Sequence, residues 1–133
     1  MPEVPRLNGA QWHMTLVDEI VAALRSCRFR WSTEAELQQG LAAALEGGGF
    51  PVEREVRIGV RDRVDLLVGG RVGLEVKTAG AWRDVERQLR RYLRSDRLEE
   101  LVLVTAIALH RRIAQGDVGG KRLLVHQLEA SAL

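Results

Sequence analysis

The chain has 133 residues, 46% of them hydrophobic, which suits one compact domain with a real core and leaves no room for two ordinary ones. Its formal charge of +2 is compatible with nucleic-acid binding but too small to identify it, so the distribution of charge matters more than the sum. A single cysteine, Cys27, excludes an internal disulfide, no signal-peptide pattern stands out, and no apolar run approaches the roughly 18 residues of a membrane span; a soluble, cytoplasmic protein without membrane contact is expected.

Residues 1–10 carry Pro2, Pro5 and Gly9 without apolar periodicity and read as a flexible arm ahead of one domain over 11–133. From Trp12 to Cys27, apolar residues recur at three- and four-residue spacing through Leu16, Val17, Ile20, Val21 and Leu24, predicting a helix with one apolar stripe and placing Cys27 on it as a small core residue. A second helix starts after Thr33, whose N-cap role Glu36 completes as a capping box; Leu37, Leu41 and Leu45 form its buried stripe and Gly47-Gly48-Gly49 ends it. Trp31 is expected to pack near its start.

The pattern then becomes alternation. Val56, Ile58 and Val60, next Val64, Leu66 and Val68, then Val72, Leu74 and Val76 predict three strands. Helical spacing returns at Trp82, Val85, Leu89, Tyr92 and Leu93. The apolar run Leu101 to Leu109 suits a buried central strand, and Leu123 to Val125 a last short one. The fold class expected is α/β, with a mixed sheet flanked by helices.

Asp65 precedes Gly69-Gly70 and Glu75 follows it. In an antiparallel pair, directly opposed residues point the same way, so a plain two-residue turn would oppose Asp65 to Leu74 and divide the apolar set between faces. An odd loop, such as Gly69-Gly70-Arg71, or an equivalent bulge gathers Val64, Leu66, Val72, Leu74 and Val76 on one face and leaves Asp65, Glu75 and Lys77 together on the other. The hydrophobic pattern thus requires the same register that would unite the acids.

Two carboxylates converging from neighbouring strands repel, and a hard divalent cation such as Mg²⁺, held through oxygen and water, relieves that; the Val76 carbonyl offers another oxygen. Such an ion activates water for attack on a phosphodiester. Lys77 can orient the attacking water, take its proton or hold a phosphate oxygen. The 20 basic residues comprise 18 Arg and only 2 Lys, Lys77 and Lys121, so a lysine at this position carries information. The competing reading is the solvated face of a half-exposed sheet. Glu53 and Glu55 precede the hairpin; Glu55 can face the site, although cross-strand pairing with Arg54 and Arg57 explains both acids adequately. His13, His110 and His126 lack the spacing of a zinc site.

The segment from Asp65 to Glu75-Val76-Lys77, set in the order helix, three strands, helix, strand between about Thr33 and Leu109, resembles the PD-(D/E)XK, or restriction endonuclease-like, nuclease superfamily. Val64 stands where that family usually has proline. The resemblance implies a restriction endonuclease-like core with an extra N-terminal helix, and Mg²⁺ or Mn²⁺ held by Asp65, Glu75 and Val76. It also implies a glutamate from the leading helix. Glu34 lies three and seven residues before Leu37 and Leu41 and so points toward the sheet, whereas Glu36 is committed to the cap; Glu34 serves equally as a first-turn acid favoured by the helix dipole. Gln88 and Tyr92, four apart on one helical face, resemble the Q-x-x-x-Y element of RecB-like nucleases, with a core tyrosine as the alternative.

The helix bearing that element has six arginines from Arg83 to Arg97 against three acids. Arg83, Arg87, Arg91 and Arg94 follow one stripe able to track phosphates. The expectation is a metal-dependent DNA nuclease of little sequence specificity, acting on single-stranded or branched DNA. The alternatives are a Holliday-junction-resolvase-like homodimer, paired through the first helix, and a non-catalytic nucleic-acid-binding module of the same fold.

Overall fold

A computed structural model describes residues 14–129; the arm at 1–10, Trp12 and His13 lie outside the described residues. Helix α1 spans Leu16–Arg25, shorter than the apolar repeat suggests, because Thr15 stops it. The Thr15 hydroxyl accepts the Asp18 N–H at 3.2 Å and the Asp18 carboxylate accepts the Thr15 N–H, a capping box with Asp in the third position. Val17, Ile20 and Leu24 form its buried stripe, and Cys27 falls just past the Ser26 cap, half-buried rather than on the helix. Helix α2, Glu34–Gly47, has the expected Thr33–Glu36 box, buries Leu37, Leu41 and Leu45, and ends in Gly48 and the left-handed Gly49.

Strands β1 (Val52–Arg57), β2 (Arg63–Val68) and β3 (Val72–Lys77) precede helix α3 (Trp82–Tyr92) and strand β4 (Glu100–Thr105). A 3-10 turn at Ala108–Arg112 leads to β5 (Gly116–Val118) and β6 (Lys121–Gln127). The six strands form one mixed sheet in the order β1-β2-β3-β4-β6-β5. Pairings of β3 with β4 and of β4 with β6 are parallel; the others are antiparallel. The fold class is therefore α/β. The apolar run after Leu101 stays extended only to Thr105, Ile58 and Val60 lie beyond the end of β1, and β5 has no counterpart in the sequence reading.

Both faces of the sheet are covered. Residues of α1 and α2 pack with Leu66, Val68, Leu74, Val76, Val102 and Val104 on one side; Val85, Leu89, Tyr92 and Leu93 pack with Leu67, Leu101, Leu103 and Leu123 on the other. Two-sided burial is why β3 and β4 read as nearly unbroken apolar runs. Val64 departs from the alternation, since it packs with the α3 side, while Leu66 and Val68, of the same parity, face α1 and α2. In β1 the same change separates Val52 from Val56. Between those two lies Glu55 with φ 54°, a left-handed conformation that turns the strand over. The edge of the sheet thus changes face at Glu55 and Asp65.

Gly73, in the middle of β3, is where β2 and the segment leading into β4 come closest. A Cβ there would lie 3.0 Å from Leu98 and Leu101 side-chain carbons and 3.1 Å from Val64. Gly73→Ala is expected to destabilise the fold by about 1–3 kcal/mol through overpacking. Urea denaturation reads this directly, and an unchanged midpoint would contradict the close packing.

Candidate functional site

The hairpin between β2 and β3 has the odd loop its apolar pattern requires. Gly69 and Gly70 adopt left-handed φ values of 60° and 74°, and the Arg71 N–H reaches back to the Val68 carbonyl at 3.3 Å. Arg71 is the extra residue, for the ladder pairs Val68 with Val72, Leu67 with Gly73 and Leu66 with Leu74. One step further that register sets Asp65 opposite Glu75, and there the backbone ladder gives way. The Asp65 N–H donates to Glu75 Oε1 at 3.2 Å, and the Val76 N–H donates to Asp65 Oδ2 at 2.8 Å. Each acid has taken the place of a carbonyl of its own strand. The strands part, and strand geometry turns the Val76 carbonyl toward the same gap as its N–H.

Expected to share a face, Asp65, Glu75 and Lys77 are instead arranged around this gap. Glu75 is 3% exposed and projects toward α3, with Lys77 Nζ 3.5 Å from its Oε2. Asp65, at the face change, points sideways across the gap. Burial first, then repulsion from Asp65, raises the Glu75 pKa to about 8, against the pull of Lys77. Burial likewise raises Asp65, to about 6, opposed by the Val76 N–H and Lys77 and reinforced by Glu34 and Glu55. Two acids this close titrate as a pair and share a proton near neutral pH.

Gln88 and Tyr92 reach the site from α3. The Gln88 amide donates to the Tyr92 hydroxyl at 2.9 Å; that hydroxyl donates to the Arg63 carbonyl at 3.1 Å and lies 3.5 Å from Glu75 Oε2. Burial and the Glu75 charge push the Tyr92 pKa to about 12, so the phenol keeps its proton and remains a donor. The core and site readings of Tyr92 are both realised: its ring is buried and its hydroxyl holds the first turn of β2 against Glu75.

Glu34 comes in from α2, on the other side of the sheet. Its Oε1 accepts the Thr78 N–H at 2.9 Å and the Thr78 hydroxyl at 3.2 Å, which fixes the chain just past Lys77. Among the described residues no group of three or more His, Cys, Asp or Glu side chains is arranged to hold a metal ion. Glu34 is therefore a neighbour of the Asp65–Glu75 pair, anchored to Thr78, rather than a third ligand in this geometry. His110, fully buried, secures the next turn: its Nε2 donates to the Gly80 carbonyl at 2.7 Å, and its Nδ1 lies 2.6 Å from the Thr105 hydroxyl.

The arginine stripe is less regular than its spacing. Arg83 lies over the Trp82 ring, Arg87 pairs with Asp84, and Arg91 Nε bonds Asp62 Oδ1 at 2.8 Å. Arg94 lies beyond α3, which closes at Tyr92 with Leu93 as its cap, so the four do not form one helical stripe. The cleft above Asp65 and Glu75 is lined instead by Arg57, Arg61 and Arg63 together with Glu55 and Asp62. These arginines, and Thr78, escaped the sequence reading. The cluster Arg61-Asp62-Arg63 directly ahead of Asp65 was the available signal. Glu55 makes the expected cross-strand pair, though with Arg63, at 3.1 Å, and also borders the cleft.

Among the described residues no helix is long and apolar enough to cross a membrane. No family model, curated protein or solved structure matches the chain, so the chemistry of the site alone carries its functional reading.

Proposed function

We propose that the chain is a metal-dependent nuclease that hydrolyses phosphodiester bonds of DNA with little sequence specificity, built on a restriction endonuclease-like core of the PD-(D/E)XK type. One observation carries this reading. Two carboxylates from neighbouring strands are buried side by side in a gap in the sheet, both above the ordinary carboxylate range, with one ammonium group beside them. A purely structural pair would be expected to have its charge neutralised by hydrogen bonding or an ion pair, whereas this one retains a proton that a divalent cation would displace.

The donor set fits Mg²⁺ or Mn²⁺. Both ions accept one or two carboxylates with the remaining positions filled by water and substrate, so Asp65, Glu75 and the Val76 carbonyl suffice without a third acid. When bound, such an ion supplies an acidified water and stabilises charge on the phosphate. The chain's own groups do the rest. Lys77 orients the attacking water or a phosphate oxygen from beside Glu75. Gln88 and Tyr92 position Glu75, Glu34 positions Thr78 and hence Lys77, and the arginines lining the cleft attract the phosphate backbone without reading bases.

The missing third acid favours one other reading, a nucleic-acid-binding module that has the fold without turnover. Purified protein incubated with single-stranded, duplex and branched DNA in Mg²⁺, Mn²⁺ or chelator separates the two. Metal-dependent cleavage abolished by chelator is expected; DNA binding with no cleavage in either metal overturns the enzyme reading.

A further inference from the structure

The β1–β2 loop at the mouth of the cleft carries Val60, 90% exposed, the most open of the large hydrophobic side chains exposed among the described residues. A lone exposed valine needs no explanation by itself. This one sits at the tip of a loop whose backbone is held from several directions. The Ile58 and Gly59 N–H groups donate to the Asp62 carbonyl at 2.9 and 3.3 Å, the Arg57 guanidinium donates to the Val60 carbonyl at 2.9 Å, and Arg91 grips Asp62. Ile58 is buried beneath, with Ser95 donating to its carbonyl. The apolar tip is thus fixed in water in advance, and binding there would cost little ordering entropy.

Its location gives the tip a ligand. Arg61 and Asp62 line both the catalytic cleft and the adjoining hollow formed by Val60 and Arg91. A strand entering the cleft would therefore pass directly beneath Val60, with arginines on either side for its phosphates. Glu75 lies recessed at the bottom, 3% exposed. Continuous duplex is stiff over about 150 base pairs and resists bending into such a recess, whereas a strand separated from its complement follows it readily. Apolar side chains inserted at base steps unstack them, and terminal pairs offer the least resistance.

We infer that Val60 is a wedge for the junction between paired and unpaired DNA: it stacks on the terminal base pair while the freed strand runs over Arg61 into the cleft. The substrate class is a forked, tailed or flapped duplex. The inference rests on the nuclease reading for the direction of the strand, but its test does not require cleavage.

A tailed duplex with 2-aminopurine at the first paired position is titrated with protein in chelator. The native chain is expected to raise the fluorescence as the base unstacks, and to prefer the tailed duplex to an unpaired strand of the same length. Val60→Ser should remove the fluorescence rise and reduce that preference about tenfold, the worth of one stacked base. Val60→Leu should restore both, which a folding defect would not allow. No fluorescence rise with the native protein, or an identical response from Val60→Ser, overturns the wedge. A rise without any metal-dependent cleavage retains the wedge and refutes the nuclease; cleavage without a rise does the reverse.

Discussion

Glu75→Gln is expected to abolish metal-dependent cleavage and, at the same time, to stabilise the metal-free protein at pH 8. The sign follows from the proton. Glu75 has a folded pKa raised to about 8, chiefly by burial, while an unfolded glutamate titrates near 4.3. Between those values the unfolded chain has already lost its proton and the folded one has not, so the folded state binds more protons and stability falls as pH rises. Asp65 adds a smaller effect of the same sign up to about pH 6. His126 works in the opposite direction, because burial and Arg25 lower its pKa, and it favours the folded state as pH rises toward 6.5. That contribution is common to parent and variant and cancels in their difference.

The glutamine keeps an oxygen for the Asp65 N–H and carries no charge to bury, so the variant should gain on the order of 3 kcal/mol over the parent at pH 8 and little at pH 4. It also lacks the second anionic oxygen a divalent cation needs. Urea denaturation of both proteins in chelator at the two pH values measures the first effect, and cleavage of a labelled strand the second. If the parent matches or exceeds the variant in stability at pH 8, the buried acid is not held against its own charge and the site loses its rationale. Added Mg²⁺ should stabilise only the parent, by mass action.

Much of this arrangement was legible because it is written in short-range pattern. Thr33 and Glu36 announce the start of α2. The alternation of Val72, Leu74 and Val76 fixes the parity of β3, and that parity decides where Glu75 points. Alternation failed at Val64, and the reason is backbone rather than side chain. The left-handed Glu55 turns the strand edge over, and no rule of propensity assigns that conformation to a glutamate. The start of α1 was misplaced because apolar spacing continues through Trp12, whereas the real boundary is a hydrogen-bonded cap at Thr15 with Asp18 in the place usually given to Glu. The basic lining of the cleft was assigned to α3, where arginines are dense, yet most of it comes from Arg57, Arg61 and Arg63 around the β1–β2 loop. Charge density along the chain does not report which charges the fold brings to one opening.

Lys77→Met separates the two tasks a lysine at this position can have, and the expected result has opposite signs in two assays. Lys77 lies 3.5 Å from Glu75 Oε2 with a side chain about four-fifths buried, and it lowers the pKa of both acids, so its charge already partly neutralises the pair. A divalent cation entering the gap meets that charge as a repulsion. Removing it should therefore tighten Mn²⁺ binding severalfold, measured calorimetrically at pH 8, where proton competition is weakest, whereas Asp65→Asn and Glu75→Gln should weaken it. Cleavage should move the other way. With water or phosphate no longer oriented by an ammonium, turnover is expected to fall by roughly 10²–10⁴-fold, the usual worth of a positioned proton-transfer group. Methionine preserves the length and apolar stem of the side chain, so packing beside Thr78 is not the cause. Retained turnover with tighter metal would make Lys77 a bystander; weaker metal with lost turnover would make it a structural support for the acids.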